Sequence, residues 1–208
     1  MGAQKGLIFG SYPCRSWEFL QMLKSWPELV IAADGGMQCA RNAGFTPCVY
    51  VGDGDSGGQA LPGMETVALK PEKDLTDLQA AYEWARDHGV TEIIFTACTG
   101  GRQDHHLSAL QLLETAKQDG IRAEIWDPDN RIIFLTPGTV TVEKSNFKFF
   151  SLIPVDRELR GISIHGARYP LENKTVHRGD SLTVSNEWSE NVVEITFSEG
   201  CCYLICSN

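Results

Sequence analysis

Glu92-Ile-Ile-Phe-Thr-Ala-Cys-Thr-Gly-Gly-Arg-Gln-Asp104 is the stretch whose reading decides the fold. Its first half is an apolar run of strand length, rich in β-branched and aromatic residues and far too short to span a membrane. Its second half is a glycine pair followed by Arg102-Gln-Asp104. From His105 onward, Leu107, Leu110 and Leu113 recur in steps of three, the spacing of one helix face, and Gly120 stands where a helix stop is expected. Strand, polar loop and helix in that order make a βα unit, the building block of a parallel sheet.

The pattern repeats on the amino-terminal side. Strand-like runs occupy Gly6–Gly10, Leu29–Asp34, Cys48–Asp53 and Glu65–Lys70, and Arg122–Asp127 follows the second helix. Asp74–Gly89 reads as a helix, with Leu75, Leu78, Tyr82 and Ala85 on one face and Gly89 at its end. Residues 1–130 are therefore expected to form an α/β domain with a mostly parallel sheet and flanking helices. At Asp127-Pro-Asp-Asn130 the pattern changes. Short β runs follow at Ile132–Leu135, Thr139–Glu143, Lys148–Ile153, Gly161–His165, Ser181–Ser185, Val192–Phe197 and Cys202–Ile205, broken by turn residues. Residues 131–208 read as an all-β, antiparallel sandwich or barrel of about 75 residues.

Composition narrows the function classes. The formal net charge of −9 argues against a non-specific nucleic-acid partner, which calls for a basic surface, but leaves a nucleotide ligand open. No basic segment followed by a long apolar stretch opens the chain, so no secretory signal is visible; a cytoplasmic protein, without membrane contact, is expected. The seven cysteines are odd in number and none has CxxC spacing, which points to reduced thiols packed in the core.

In open parallel sheets ligands bind where the loops gather, at the carboxyl ends of the strands. Here those loops share a composition: Asp34-Gly-Gly36, Gly52-Asp-Gly-Asp-Ser56, Lys73-Asp-Leu-Thr-Asp77 and Gly100-Gly-Arg-Gln-Asp104. Singly, each has a structural explanation. Asp74 or Asp104 fits a helix cap, and Asp34-Gly and Asp53-Gly fit turns. Together they put several like charges on one edge, which repel unless a cation intervenes. Hard oxygen ligands suit Mg²⁺, which commonly takes one or two carboxylates plus substrate phosphates. Arg102 offers a forked donor to phosphate oxygens, and Lys73 is either a second positive charge or a solvated loop lysine. No GxxxxGK[ST] phosphate loop is present. His88, His165 and His177 read as surface or structural residues, whereas His105 and His106 fit either a supporting hydrogen bond or packing at the helix start.

Ala33-Asp-Gly-Gly36, Gly52-Asp-Gly-Asp-Ser56, Lys73-Asp-Leu-Thr-Asp77, Gly100-Gly-Arg-Gln-Asp-His105 and Ser185-Asn-Glu-Trp188 stand in the order found in the thiamine pyrophosphokinases. The chain resembles the short bacterial type of that family over essentially its whole length. The resemblance implies transfer of diphosphate from ATP to the hydroxyl of thiamine, giving thiamine diphosphate and AMP. It implies a homodimer with active sites between subunits, an ATP- and Mg²⁺-binding catalytic α/β domain, and a β domain that binds thiamine and forms the dimer. Carried over by motif, Asp53, Asp55 and Asp77 hold Mg²⁺. Asp34, Gly35, Gly36, Lys73, Asp74, Thr76, Arg102, Asp104 and His105 lie on the ATP side. Ser185, Asn186 and Trp188 line the thiamine side, with Trp188 stacked on the cationic ligand. Without the family context, a sandwich-core or edge-strand tryptophan is the better reading of Trp188. Two positions depart from the family pattern: Gly54 replaces a bulky aromatic, and Ser108-Ala-Leu110 lacks an asparagine often found there.

The chemistry expected on this reading is in-line attack on the β-phosphorus of ATP, with Asp77 or Asp104 orienting the hydroxyl. The residues by themselves also admit a related Mg²⁺-dependent transferase acting on another hydroxylated heterocycle, or a non-catalytic thiamine sensor.

Overall fold

The computed structural model describes residues 4–53, 61–69 and 74–208. The chain divides into two compact units, Met1–Pro128 and Asp129–Asn208. The fold class read from the sequence is borne out: a parallel sheet with helices, and a separate antiparallel β part.

In the first unit, strands β1 (Gln4–Phe9), β2 (Leu29–Ala33), β3 (Val49–Gly52), β4 (Glu65–Ala68), β5 (Val90–Thr96) and β6 (Arg122–Trp126) form a parallel sheet. Their order is β4-β3-β2-β1-β5-β6, every neighbouring pair being parallel. The chain runs outward from β1 to β4, then returns to place β5 on the other side of β1. That reversal makes the carboxyl ends of β1 and β5 a topological switch point, the place at which open parallel sheets generally bind ligands.

Among the described residues, three α-helices flank the sheet, α1 (Gly36–Asn42), α2 (Asp77–Asp87) and α3 (Gln103–Gln118), together with a 3-10 turn over Glu18–Leu23. α2 and α3 stand where helices were expected and end at the expected glycines, Gly89 and Gly120, which take left-handed φ angles of 82° and 75°. Their buried faces are Ala80, Ala81, Tyr82 and Ala85 on α2 and Ala109, Leu112, Leu113 and Ala116 on α3, so Leu75 and Leu107 of the expected stripes are not buried. α1 escaped the periodicity search because seven residues carry too few turns to show a period. One face of the sheet packs Leu7, Phe9 and Ile94 against Leu20, Cys39, Ala40 and Phe45. On α2, Tyr82 is fully buried, its ring 6.2 Å from Phe95.

The second unit holds two antiparallel sheets. β13 (Cys202–Ser207) lies between β7 (Asn130–Leu135) and β9 (Phe149–Pro154). The other sheet runs β11-β10-β12-β8, formed by Leu171–His177, Glu158–His165, Val192–Phe197 and Gly138–Glu143 respectively. Leu152, Cys202 and Leu204 from the first sheet meet Ile162, Ile164, Val193, Ile195 and Phe197 from the second, which is the interior of a sandwich.

Two strand expectations need correction. Ser181–Ser185 is a turn: the Val184 N–H donates to Ser181 O at 3.1 Å, and Ser185 sits at φ 59°, which no strand tolerates. Conversely, β11 was missed because Glu172-Asn-Lys-Thr175 is exposed throughout and only Val176 is buried, so no alternation marks it.

Cys14, Cys39, Cys48, Cys98 and Cys202 are free thiols. Burial pushes Cys39 up to about 11 and Cys14 and Cys202 up to about 12, so they stay protonated and unreactive at neutral pH.

Candidate active site

Backbone bonds gather the loops at the carboxyl edge of the parallel sheet. After β1, Gly10 N–H donates to Thr96 O and Tyr12 N–H to Ala97 O, each at 2.8 Å, so this loop is tied to the one after β5. After β2, Asp34 N–H donates to Val51 O at 2.8 Å, tying that turn to β3. Close approach demands glycine at Gly36, where a Cβ would stand 2.0 Å from Phe9 O.

Asp34 is 1% exposed and adopts φ 45°, a left-handed turn that its glycine neighbours continue into α1. Its carboxylate accepts a 2.8 Å hydrogen bond from the Tyr50 hydroxyl. That phenol is held protonated, well above its ordinary range, first by burial, then by the Asp34 bond and by the charges of Asp34, Asp77 and Asp53. Asp34 alone meets the hydroxyl directly; Asp53 and Asp77 act on it only as charges from neighbouring loops. Asp53 and Asp77 are half-buried, and Asp77 opens α2.

The cap of α2 is Thr76, whose Oγ1 accepts from Gln79 N–H at 3.2 Å, and not Asp74, which is exposed. The capping explanation thus falls away for Asp74. For Asp104 it holds in part: Arg102 occupies the cap position of α3 without a capping bond of its own, and the Asp104 carboxylate accepts from the His105 N–H in the first turn at 3.0 Å. The Arg102 guanidinium also grips Asp104 with two prongs, Nε to Oδ1 at 3.2 Å and Nη2 to Oδ2 at 2.6 Å. The bond from Arg102 is the main reason the Asp104 carboxyl is held below the usual carboxylate range. Both side chains are exposed, beside exposed His105. Of the two histidine readings, His106 has the supporting bond: its Nδ1 accepts from Gly100 N–H at 3.1 Å.

Asp55 and Lys73 lie outside the described residues. Among the described residues, no three His, Cys, Asp or Glu side chains stand together as a metal centre. Asp53 and Asp77 supply hard carboxylate oxygens from two adjacent loops, a donor set that fits a cation completing its shell with phosphate and water.

Sequence reasoning missed Tyr12 and Tyr50. Tyr12 is 44% exposed and lies across Gly100 and Gly101 at the switch point. Its signal was available: a fifth loop at the same edge, Gly10-Ser-Tyr12, directly after the first strand. Tyr50 sat inside an apolar strand and carried no polar pattern.

In the second unit, Ser185, Asn186 and Trp188 come together by pairing with β9 and with residues 166–168, which follow β10. Ser185 N–H donates to Ser151 Oγ at 2.9 Å, and Asn186 exchanges both backbone bonds with Phe150 at 2.9 Å. The buried Asn186 amide clamps Tyr169, accepting from its N–H at 3.0 Å and donating to its carbonyl at 2.8 Å. Trp188 is 8% exposed; its ring packs 4.9 Å from Phe150, and Nε1 donates to Val142 O at 3.3 Å.

Residues 20–125 match the family described as thiamin pyrophosphokinase, catalytic domain, and residues 139–202 match the thiamin pyrophosphokinase vitamin B1 binding domain. The chain is 31% identical over 186 residues to a thiamine pyrophosphokinase of Bacillus subtilis strain 168, covering 85% of this chain and 86% of that one. The crystal structure of a Bacillus subtilis thiamine pyrophosphokinase superposes with a TM-score of 0.91 at 28% identity, covering 99% of each chain. That of a Geobacillus thermodenitrificans thiamin pyrophosphokinase gives 0.88 at 29% identity, covering 99% of this chain and 98% of the other.

Proposed function

The chain belongs to the thiamin pyrophosphokinase family and is a transferase that converts thiamine to thiamine diphosphate, and on that premise we propose how its residues divide the work. The diphosphate donor is ATP, and the acidic edge of the parallel sheet is where its phosphates are handled. Asp53, Asp55 and Asp77 hold Mg²⁺, which when bound neutralises phosphate charge and draws the donor into line. Asp34, Gly35, Gly36, Lys73, Asp74, Thr76, Arg102, Asp104 and His105 form the nucleotide side. Ser185, Asn186 and Trp188 form the thiamine side.

The thiamine hydroxyl oxygen attacks the β-phosphorus, the bond to the α–β bridging oxygen breaks, and AMP departs with that oxygen. The hydroxyl proton passes to an aspartate, Asp77 or Asp104. Arg102 leaves Asp104 in part to meet phosphate oxygens, for which its planar fork is suited. Catalysis of this type rests on positioning and charge neutralisation more than on covalent chemistry.

The observation that supports this reading is the placement of Asp34, Asp53 and Asp77 directly after β2, directly after β3 and at the start of α2, on one edge of the parallel sheet. Like charges from three loops have no stabilising value there without a cation. The working protein is taken to be a cytoplasmic homodimer with active sites between subunits. Among the described residues, no helix is long and apolar enough to cross a membrane.

Purified protein with ATP, Mg²⁺ and thiamine should form AMP and thiamine diphosphate in equal amounts. Thiamine-independent AMP release, or none at all, would overturn the assignment. Sedimentation at working concentration checks the dimer.

A further inference from the structure

The buried hydrogen bond from Tyr50 to Asp34 takes no part in the chemistry above. Tyr50 is 4% exposed on β3, and its hydroxyl reaches sideways to the residue that ends β2 and turns toward α1. Asp34 is therefore held twice by β3, by its backbone N–H on Val51 O at 2.8 Å and by its carboxylate on Tyr50. Gly52 leaves the space for this closure. A Cβ there would stand 2.9 Å from Asp34 Cβ and 3.1 Å from the Tyr50 hydroxyl. The next residue is Asp53, and the charges of Asp53 and Asp77 both act on the same hydroxyl. The bond thus braces the turn after β2 against the strand that runs through Gly52 into Asp53.

We propose that Tyr50 is a positioning residue: by fixing Asp34 it braces the turn after β2 against the end of β3, and so sets where Asp53 and Asp77 meet the metal-bound diphosphate. The proposal rests on the assignment of Asp53 and Asp77 to the metal. A purely structural pair would also be buried and bonded, but its loss would lower stability without selecting one substrate. A brace on the strand that runs into Asp53 acts on metal and nucleotide and spares thiamine.

The test compares wild type with Tyr50→Phe, which keeps the ring and removes only the donor. Mn²⁺ binding in the presence of a non-hydrolysable ATP analogue is read by electron paramagnetic resonance. The Mg²⁺ concentration for half-maximal activity and the KM for thiamine are read in turnover. Tyr50→Phe should weaken Mn²⁺ binding about tenfold, the effect typical of losing an outer hydrogen bond to a metal site. The Mg²⁺ requirement should rise in step while the KM for thiamine stays put. Asp34→Asn, whose amide oxygen still accepts from the phenol, should lose less Mn²⁺ affinity than Asp34→Ala. A folded Tyr50→Phe protein with wild-type Mn²⁺ affinity and Mg²⁺ dependence would overturn the brace, whatever its melting temperature. So would equal losses in the two Asp34 variants, a comparison that stands even if Tyr50→Phe does not fold. Wild type inactive on thiamine sinks the functional reading instead, and the Mn²⁺ measurement still decides the brace.

Discussion

Tyr12 covers Gly101 so closely that a Cβ on the glycine would stand 2.5 Å from the ring's Cε2. Gly100 lies under the other side of the ring, with 2.7 Å from a built Cβ to Cε1. The two glycines take φ angles of 87° and 58° and lead directly into Arg102. The loop after β1 therefore sets the starting point of the arginine, at the place where the strand order reverses.

Gly101→Ala should accordingly harm turnover more than folding. The left-handed φ costs about 1 kcal/mol for a residue with a Cβ, and the Tyr12 ring is free enough to swing aside. Displacing that ring shifts the arginine, and kcat/KM for ATP should fall about tenfold. Gly63→Ala is the control: φ is 81° and nothing lies within 4 Å of a Cβ there, so it bears the same conformational cost without the clash. Equal activity in the two variants would remove the Tyr12 loop from the site.

The Arg102–Asp104 pair makes the opposite contrast between stability and function. Its side chains are 74% and 64% exposed, and an ion pair so open to water adds little to stability. Arg102→Ala should leave the melting temperature within about 2 °C of wild type. Turnover should drop about a hundredfold, as expected when a donor aimed at developing charge is removed. Arg102→Lys should recover only part of it, because an ammonium lacks the fork. Thermal melts beside steady-state kinetics check both halves.

Much of this was legible in the sequence, and the reasons are specific. The parallel unit announced itself through long apolar strands and through the helix read at α3, although the face that α3 buries is Ala109, Leu112, Leu113 and Ala116, with Leu107 exposed. The acidic loops were visible as loops because glycine and aspartate cluster there for turn and ligand reasons alike. What stayed hidden depends on contacts across the chain. Tyr50 looks like any strand aromatic until β2 brings Asp34 beside it. Leu182 and Val184 imitate an alternating strand, yet both are exposed while Thr183 is buried and donates to Leu152 O at 2.7 Å, so the register is set by a hydroxyl.

Tyr82 and Asp119 give a pH-dependent stability that can be separated from catalysis. The fully buried Tyr82 donates its hydroxyl proton to Asp119, and that bond is the main cause holding the Asp119 carboxyl below its ordinary value. A carboxyl lowered in the folded state stabilises above its unfolded pKa and loses that contribution as pH falls through the folded one. Tyr82→Phe should melt about 2–4 °C below wild type at pH 7. The gap should narrow below the ordinary carboxylate range, as Asp119 is protonated in both proteins. Melts run from neutral to strongly acid pH check the sign; a gap that widens on acidification would contradict it.

Trp188 carries two roles that one substitution confounds. Its ring lies in the core with Phe150, Leu152 and Ile164, and its N–H is bonded to Val142 O. Trp188→Ala should cost about 3–5 kcal/mol through the cavity it leaves, so lost thiamine binding in that variant would say nothing about stacking. Trp188→Phe keeps an aromatic ring against Phe150 and forfeits the indole bond, a loss of about 1 kcal/mol. If the indole face also attracts the cationic ring of thiamine, Trp188→Phe should raise the KM for thiamine several-fold and leave the KM for ATP unchanged. Parallel increases in both constants would mean that the tryptophan acts through the fold alone. An unchanged thiamine KM would move recognition to other groups, the first being exposed Tyr169, whose backbone Asn186 clamps from both sides.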